Sequence, residues 1–297
     1  MLIFFLKRPS FAKKELSLHL ANTIMLSNKA MAETRESIFR QVNEVLETYD
    51  TISLEEMSAV KLMNRIDTKF VIPLVQLKPL LLTAASQYFV QAINDKRTAA
   101  YHTIYLDTDD HRMYNMHQTG RKVRQKIRVR TYEETGISFL EIKNKNNHGR
   151  TKKKRIEVPT FESVFQSDEA SQFLEQKAWY TIDQLRPHVE NYFDRITLIN
   201  HGMTERLTID LGLRFHNFDI DTRFDIGHCV VIELKRDGLT HSPMQDIFRD
   251  MRILPGGFSK YCIGSAFTNP SLRHNNLKEK MHRVERFKLM QEGLLVM

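Results

Sequence analysis

Between Thr34 and Tyr49 the apolar positions Ile38, Val42, Val45, Leu46 and Tyr49 recur at helical intervals, which predicts an amphipathic helix that needs a partner surface. Ser53 and Glu56 form a capping box that starts a second, short helix. The period then changes. Segments near 65–72, 101–107, 122–132, 137–145, 152–158, 191–199, 205–211 and 229–235 alternate and are rich in β-branched and aromatic residues, as strands are. Pro73 closes the first, and a helix is predicted over 74–87. Helical stretches interrupt the strands near 160–187. Ser242, Pro243 and Gln245 supply the N-cap, first-turn proline and capping-box acceptor of a helix to Arg252, which Pro255-Gly256-Gly257 ends. The tail from Ser271 reads as a mostly polar helix. No repeat or low-complexity linker interrupts 50–268, so that span is predicted to be one α+β domain, with an extension and amphipathic helix in 1–49 and a helical tail in 269–297.

Residues two apart in a strand share a face, and dividing each strand this way gives a one-sided result. Arg124, Lys126, Arg128 and Arg130 fall on one face, with Ile127 and Val129 on the other. Arg65, Asp67 and Lys69 oppose Ile66 and Phe70; Glu141, Lys143 and Lys145 oppose Leu140 and Ile142; Lys153, Arg155 and Glu157 oppose Ile156 and Val158. Arg195, Arg206 with Asp210, and Glu233 with Lys235 follow the same rule. These charged faces hold thirteen cations and five carboxylates, whereas a solvated face ordinarily mixes the signs. If the sheet closes on itself, the apolar faces turn outward onto helices and the cations line a lumen suited to phosphates. Arg offers a planar fork for phosphate oxygens and Lys a movable point charge. Glu233, set among cations, is the hard oxygen ligand that fits Mg²⁺ or Mn²⁺ together with phosphates; Asp67 and Asp210 are weaker candidates.

Composition narrows the partner class. Lys and Arg total 44 against 36 Asp and Glu, a formal charge of +8, which favours an anionic partner: nucleic acid, membrane surface or phosphorylated small molecule. Lys152–Arg155 could serve nucleic acid, but its flanks place it on a strand, and stacking aromatics look scarce on the cationic faces. No specific nucleic-acid partner is therefore expected. Cys229 and Cys262 belong to no CxxC or Cys/His cluster, and the twelve His show no metal-ligand spacing and are expected mostly at the surface. A cytoplasmic location is expected. The Leu2–Leu6 run, stopped by Lys7 and Arg8, is too short to span a membrane or to form the core of a signal peptide; Met25 and Met31 are alternative starts. Walker, GxGxxG and HExxH motifs are absent.

Six ordered blocks carry a more specific signal: Arg65-Ile-Asp-Thr-Lys69-Phe70, Ile104-Tyr-Leu-Asp107, Lys126-Ile-Arg128-Val-Arg130-Thr-Tyr132, Phe139-Leu-Glu-Ile-Lys143, Val231-Ile-Glu233-Leu-Lys235 and Gly257-Phe-Ser-Lys260-Tyr261. Together they resemble the VTC domain, the polyphosphate polymerase domain of the vacuolar transporter chaperone complex and a branch of the triphosphate tunnel metalloenzymes. The resemblance covers roughly 50–268. It implies a closed antiparallel β-tunnel with a basic lumen, surrounded by helices, in which ATP gives its terminal phosphoryl to polyphosphate in the presence of Mn²⁺ or Mg²⁺. It implies phosphate contacts from Lys69, Arg128, Arg130, Lys143, Lys153, Arg195, Arg206 and Lys260, and metal binding by Glu233. Arg128, Arg130, Lys143 and Arg206 are taken as the catalytic set; Lys126 and Arg155, on the same strand faces, join the substrate-binding set. The E-x-E-x-K first-strand signature of the wider superfamily is replaced by Arg65, Asp67 and Lys69, as in the VTC branch. A lysine that fungal enzymes carry three residues before the last Lys is Gly257 here. The SPX domain and membrane segments of the fungal complex have no counterpart in the sequence, so membrane coupling would need a separate protein. A triphosphate hydrolase of the same fold, or a non-catalytic polyphosphate-binding module, are the competing readings.

Overall fold

The computed structural model describes residues 35–57, 60, 65–238 and 240–295; the expectations for Leu2–Leu6, Met25 and Met31 lie outside them. Helix α1 (35–46) leads into β1 (Thr51–Ile52) and the short α2 (Leu54–Met57). The capping box is present: Ser53 N donates to Glu56 Oε2 at 2.8 Å, and Glu56 N to Ser53 Oγ at 3.2 Å. Then come β2 (Arg65–Pro73), α3 (Leu77–Ala84), β3 (Tyr88–Gln91), β4 (Ala99–Asp107), α4 (Arg112–Gln118), β5 (Arg124–Tyr132), β6 (Ile137–Lys145), β7 (Thr151–Val158) and α5 (Asp168–Lys177). The chain continues through β8 (Arg186–Asn200), β9 (Glu205–Asn217), β10 (Thr222–Asp225), β11 (Cys229–Asp237), α6 (Pro243–Asp250), α7 (Lys260–Thr268) and α8 (Lys278–Gln291).

The strands form one sheet in the order β2-β11-β9-β8-β4-β5-β6-β7, with β10 on β9 and β3 on β8; every pairing along that path is antiparallel, and β1 pairs β3 parallel. The α+β expectation holds, as a curled half-barrel with helices. The ladder itself is open: among the described residues no pairing joins its ends, β2 and β7, so the expected hydrogen-bonded closure is not seen. Curling is evident in the electrostatics. Lys143 on β6 responds to Glu233 on β11, five strands away, and Lys126 on β5 to Lys69 on β2. In a flat sheet the first pair would be about 24 Å apart, beyond effective Coulomb range in salt. The edge of β2 is partly covered, since Gly256 N donates to the Lys69 carbonyl at 2.8 Å.

The convex face carries Ile72, Ile196, Leu198, Leu207, Ile209, Val230, Ile232 and Leu234, all buried together with side chains of α1, α3 and α6, among them Val42, Leu46, Leu80 and Phe248. Burying a side chain of this size contributes about 1.5–3 kcal/mol relative to leaving it exposed. Val42, Val45, Leu46 and Tyr49 thereby find their predicted partner surface. A second core joins the outward residues of β5 and β6 to α4, α5 and α7 through Ile127, Val129, Leu140, Ile142, Met113, Leu174 and Ile263.

Helix α7 approaches β9 so closely that a Cβ on Gly264 would lie 2.3 Å from Phe215 Cδ1. Gly264→Ala is therefore expected to destabilise the fold by about 1–3 kcal/mol, the usual cost of overpacking, as a lowered midpoint in denaturant unfolding; an unchanged midpoint would show that the helix can shift freely.

Candidate functional site

The strand registers carry the charged faces onto one side of the sheet. Lys69 is opposite Glu233, Asp67 opposite Lys235 and Arg206 opposite Lys235; Arg195 faces Asp210. On the other arm, Arg128 is opposite Glu141, and Lys143 sits between Lys126 and Lys153. The Lys153 register also resolves its neighbour: Lys154 pairs with Ile142 on the other face. Arg124 with Lys145, Lys126 with Lys143, Lys143 with Lys153 and Arg206 with Lys235 are like charges placed directly opposite, an arrangement that destabilises a sheet.

Carboxylates neutralise only part of this face. Glu141, fully buried, accepts from Arg128 Nε and Nη2 at 2.8 and 2.5 Å and from Lys153 Nζ at 3.0 Å. Asp210 accepts from Arg195 Nε and Nη2 at 2.6 and 2.9 Å, and from Lys260. Glu233 holds Lys69 with one oxygen and Lys235 with the other. Each carboxylate thus binds two cations. Burial alone would push these three acids up, but their cationic partners hold all of them well below the usual carboxylate range. Asp67 pairs with Arg65 at 2.8 Å. Glu233 thus sits among cations, as its sequence context implied, and is clamped by two of them.

Besides the exposed Arg155, four cations of the predicted site, buried or half-buried, make no ion pair with a carboxylate among the described residues: Lys126, Arg130, Lys143 and Arg206. Lys126 donates to Ser259 Oγ at 2.9 Å and Arg130 to Thr103 Oγ1 at 3.1 Å, while Arg206 Nε is buried without a partner. Their environment disfavours charge. Burial, followed by nearby arginines and Lys69, pushes Lys126 down to about 8; burial, then Arg128 and Arg195, pushes Arg130 down to about 10. Lys143 is well below its ordinary value, first through Arg128 and then burial, and Arg206 is lowered by burial and Arg65. Lys260, at the start of α7, is pushed by burial to about 8 despite Asp210.

These shifts have a defined pH signature. Lys126 and Lys260 are lowered from 10.5 to about 8, so the unfolded chain binds more protons than the native one above about pH 8. Ligand-free protein should therefore become more stable from pH 8 to about 9.5. The buried thiols of Cys229 and Cys262, raised by burial, partly offset that gain, and the buried tyrosines Tyr88 and Tyr261, raised by burial and by their carboxylate partners, oppose it at higher pH. Denaturant titrations at pH 7, 8 and 9.5 measure it; a monotonic loss of stability would contradict it.

Several contributors were not evident in the sequence. Strand β4 places Tyr101, Thr103 and Tyr105 on the charged face, opposite Phe193, Asn191 and Val189. Arg130 and Arg195 lie over Tyr101 at 5.3 and 4.8 Å, Lys260 over Phe193 at 4.2 Å and Arg155 over Phe139 at 4.1 Å. Aromatics are thus not scarce there, contrary to expectation, but the protein's own cations cover these rings. Two of the sequence blocks meet physically: Tyr261 donates to buried Asp107, whose carboxylate also accepts from Met113 N and Tyr114 N at 2.9 and 2.8 Å. That contact anchors α7 and hence Lys260.

The family model for the VTC domain matches residues 64–269. The chain belongs to the VTC domain family. All eleven nominated side chains, from Lys69 to Lys260, lie within the VTC span. No curated protein matches the sequence significantly. Solved structures similar to this chain include a Bacillus halodurans protein assigned as an adenylate cyclase, at 15% identity, covering 66% of this chain and 96% of that one with a TM-score of 0.44. Another is a Hippeastrum protein assigned as an adenylyl cyclase and described as having dominant triphosphatase activity, at 14% identity, 70% and 97% coverage and a TM-score of 0.39. Among the described residues no helix is long and apolar enough to cross a membrane.

Proposed function

We propose that this VTC domain is a polyphosphate polymerase that moves the terminal phosphoryl of ATP onto a polyphosphate chain along the basic face of the sheet, within the unit 50–268. The observation that carries the reading is the set of buried and half-buried cations without carboxylates, Lys126, Arg130, Lys143 and Arg206, beside three carboxylates that each already hold two cations. Such a face is complete only when a polyanion supplies the missing negative charge. Arg130 and Arg206 would grip phosphate oxygens, Lys126 and Lys143 would follow charge along the chain, and the bonded cations Lys69, Arg128, Lys153, Arg195 and Lys260 would turn partly from carboxylate to phosphate. Arg155, over Phe139, would extend the track toward the β7 edge.

A divalent ion fits this chemistry. Glu233 is one hard carboxylate of the charged face, and Mg²⁺ or Mn²⁺ is commonly held by one carboxylate, phosphates and water. When bound there it would neutralise charge on the transferring oxygens. Lys69 and Lys235 would be released toward phosphate. We place the protein in the cytoplasm, with ATP and polyphosphate as partners and any membrane association through a separate protein. Water as acceptor would make the same face a triphosphate hydrolase. Incubation with ATP and Mn²⁺ or Mg²⁺, followed by resolution of products, separates the two: ADP with long-chain polyphosphate supports the proposal, and ADP with free phosphate alone overturns it.

A further inference from the structure

The search for chemistry outside the basic face leads to the far end of β8, where three segments distant in sequence converge. His111 follows β4, His188 lies near the start of β8, and Asp219 lies in the turn between β9 and β10. One ligand atom from each residue lies within 4.8 Å of the other two. Asp219 Oδ2 is 2.8 Å from His188 Nδ1 and 3.7 Å from His111 Nε2. Those distances bracket the roughly 3.3 Å between neighbouring ligands of a tetrahedral ion with bonds of about 2.0–2.1 Å. The two imidazole rings meet edge to face with centroids 4.3 Å apart.

From these residues we infer a second metal site, of the zinc class, formed by His111, His188 and Asp219. Its donor set is two imidazole nitrogens and one carboxylate oxygen, which suits Zn²⁺ and related first-row ions rather than the all-oxygen preference of Mg²⁺. The hydrogen bonding around the rings supports a ligand. His188, with 2% side-chain exposure, is held by a hydrogen bond between its Nδ1 and Asp219 Oδ2 at 2.8 Å, whereas 3.7 Å is too long for His111 to bond Asp219 directly. His216 on the neighbouring strand shows the contrast, with Nδ1 on Glu190 at 2.9 Å and Nε2 on Asp221 at 2.8 Å. His111 also adopts φ 52°, the left-handed region that a histidine occupies at a cost.

Local charge is compatible with a dication. Arg186 pairs with Asp109 at 2.9 Å and stays 4.0 Å from the other oxygen of Asp219, leaving Oδ2 to face the histidines. His188 lies seven positions before Arg195 on β8 and is followed by Val189, which pairs with Tyr105 beside Arg128; the site adjoins the basic face but shares none of its nominated side chains. A bound ion would clamp the β4–α4 loop, β8 and the β9–β10 turn together. Three protein ligands leave one position for water.

Full-length protein stripped with chelator, then titrated calorimetrically with Zn²⁺ in excess Mg²⁺, tests the site. One equivalent of Zn²⁺ is expected to bind and raise the melting temperature. His111→Gly keeps the left-handed backbone without strain while removing the ring, and Asp219→Asn removes the ligand charge. Each should weaken Zn²⁺ binding by at least about tenfold, since losing even outer-shell groups costs about 10–100-fold. Circular dichroism confirms that the variants fold. No Zn²⁺ binding under excess Mg²⁺, or equal binding by wild type and both folded variants, would overturn the assignment.

Discussion

Glu233→Gln is expected to reduce metal-dependent turnover by at least about a hundredfold, the consequence of losing one electrostatic stabiliser of about 2.7 kcal/mol, while metal-free triphosphate binds as tightly or more tightly. Gln keeps the shape of the side chain and removes the charge that suits a hard cation. Its loss also frees Lys69 and Lys235, which now grip the two carboxylate oxygens, to meet phosphate. Paired measurements of turnover against Mn²⁺ concentration and of triphosphate affinity in chelator separate these effects. If Glu233 serves only as a counter-ion for the two lysines, the variant will lose stability and retain the wild-type metal dependence. That result would remove Glu233 from the metal site.

Glu141→Gln is expected to cost about 3–5 kcal/mol of unfolding free energy, the magnitude for breaking a buried ion pair. The carboxylate is fully buried, while Arg128 and Lys153 both donate to it. Once it is neutral, Arg128, with 9% side-chain exposure, faces Arg130 and Lys143 with no counter-charge. A polyanion can supply that charge, so saturating tripolyphosphate should recover part of the loss. Denaturant unfolding with and without tripolyphosphate gives both numbers. A loss below about 1 kcal/mol would mean that Arg128 reaches solvent and that the pair behaves as a surface bridge.

The one-sided charge was legible because strand side chains alternate with period two, and the registers preserve that parity from Lys69 on β2 to Lys153 on β7. Which cations remain without a carboxylate was not legible. That depends on neighbours such as Arg206 opposite Lys235, set by strand order rather than by local sequence. Helix α7 escaped notice because Tyr261, Cys262, Ile263 and Ala266 are buried around much of its circumference, which erases an amphipathic stripe. Strand β8 begins at Arg186, within the stretch expected to be helical, and the pairing shift between Tyr192 and Asp194 interrupts its alternation. Short strands such as β3 and β10 carry too few residues for a periodic signal. The His111, His188 and Asp219 cluster had no sequence spacing to betray it, because three separate segments assemble it; with His188 buried, the expectation of mostly surface histidines fails there.

Thermal unfolding of wild type and of the Arg130→Ala and Lys143→Ala variants, with and without tripolyphosphate at low salt, tests most directly whether the basic face is a phosphate receptor. At a ligand concentration about a hundred times the dissociation constant, wild type should gain roughly 2.7 kcal/mol. The gain should shrink in both variants and as salt is added. An unchanged wild-type melting temperature, or an equal gain in all three proteins, would contradict it.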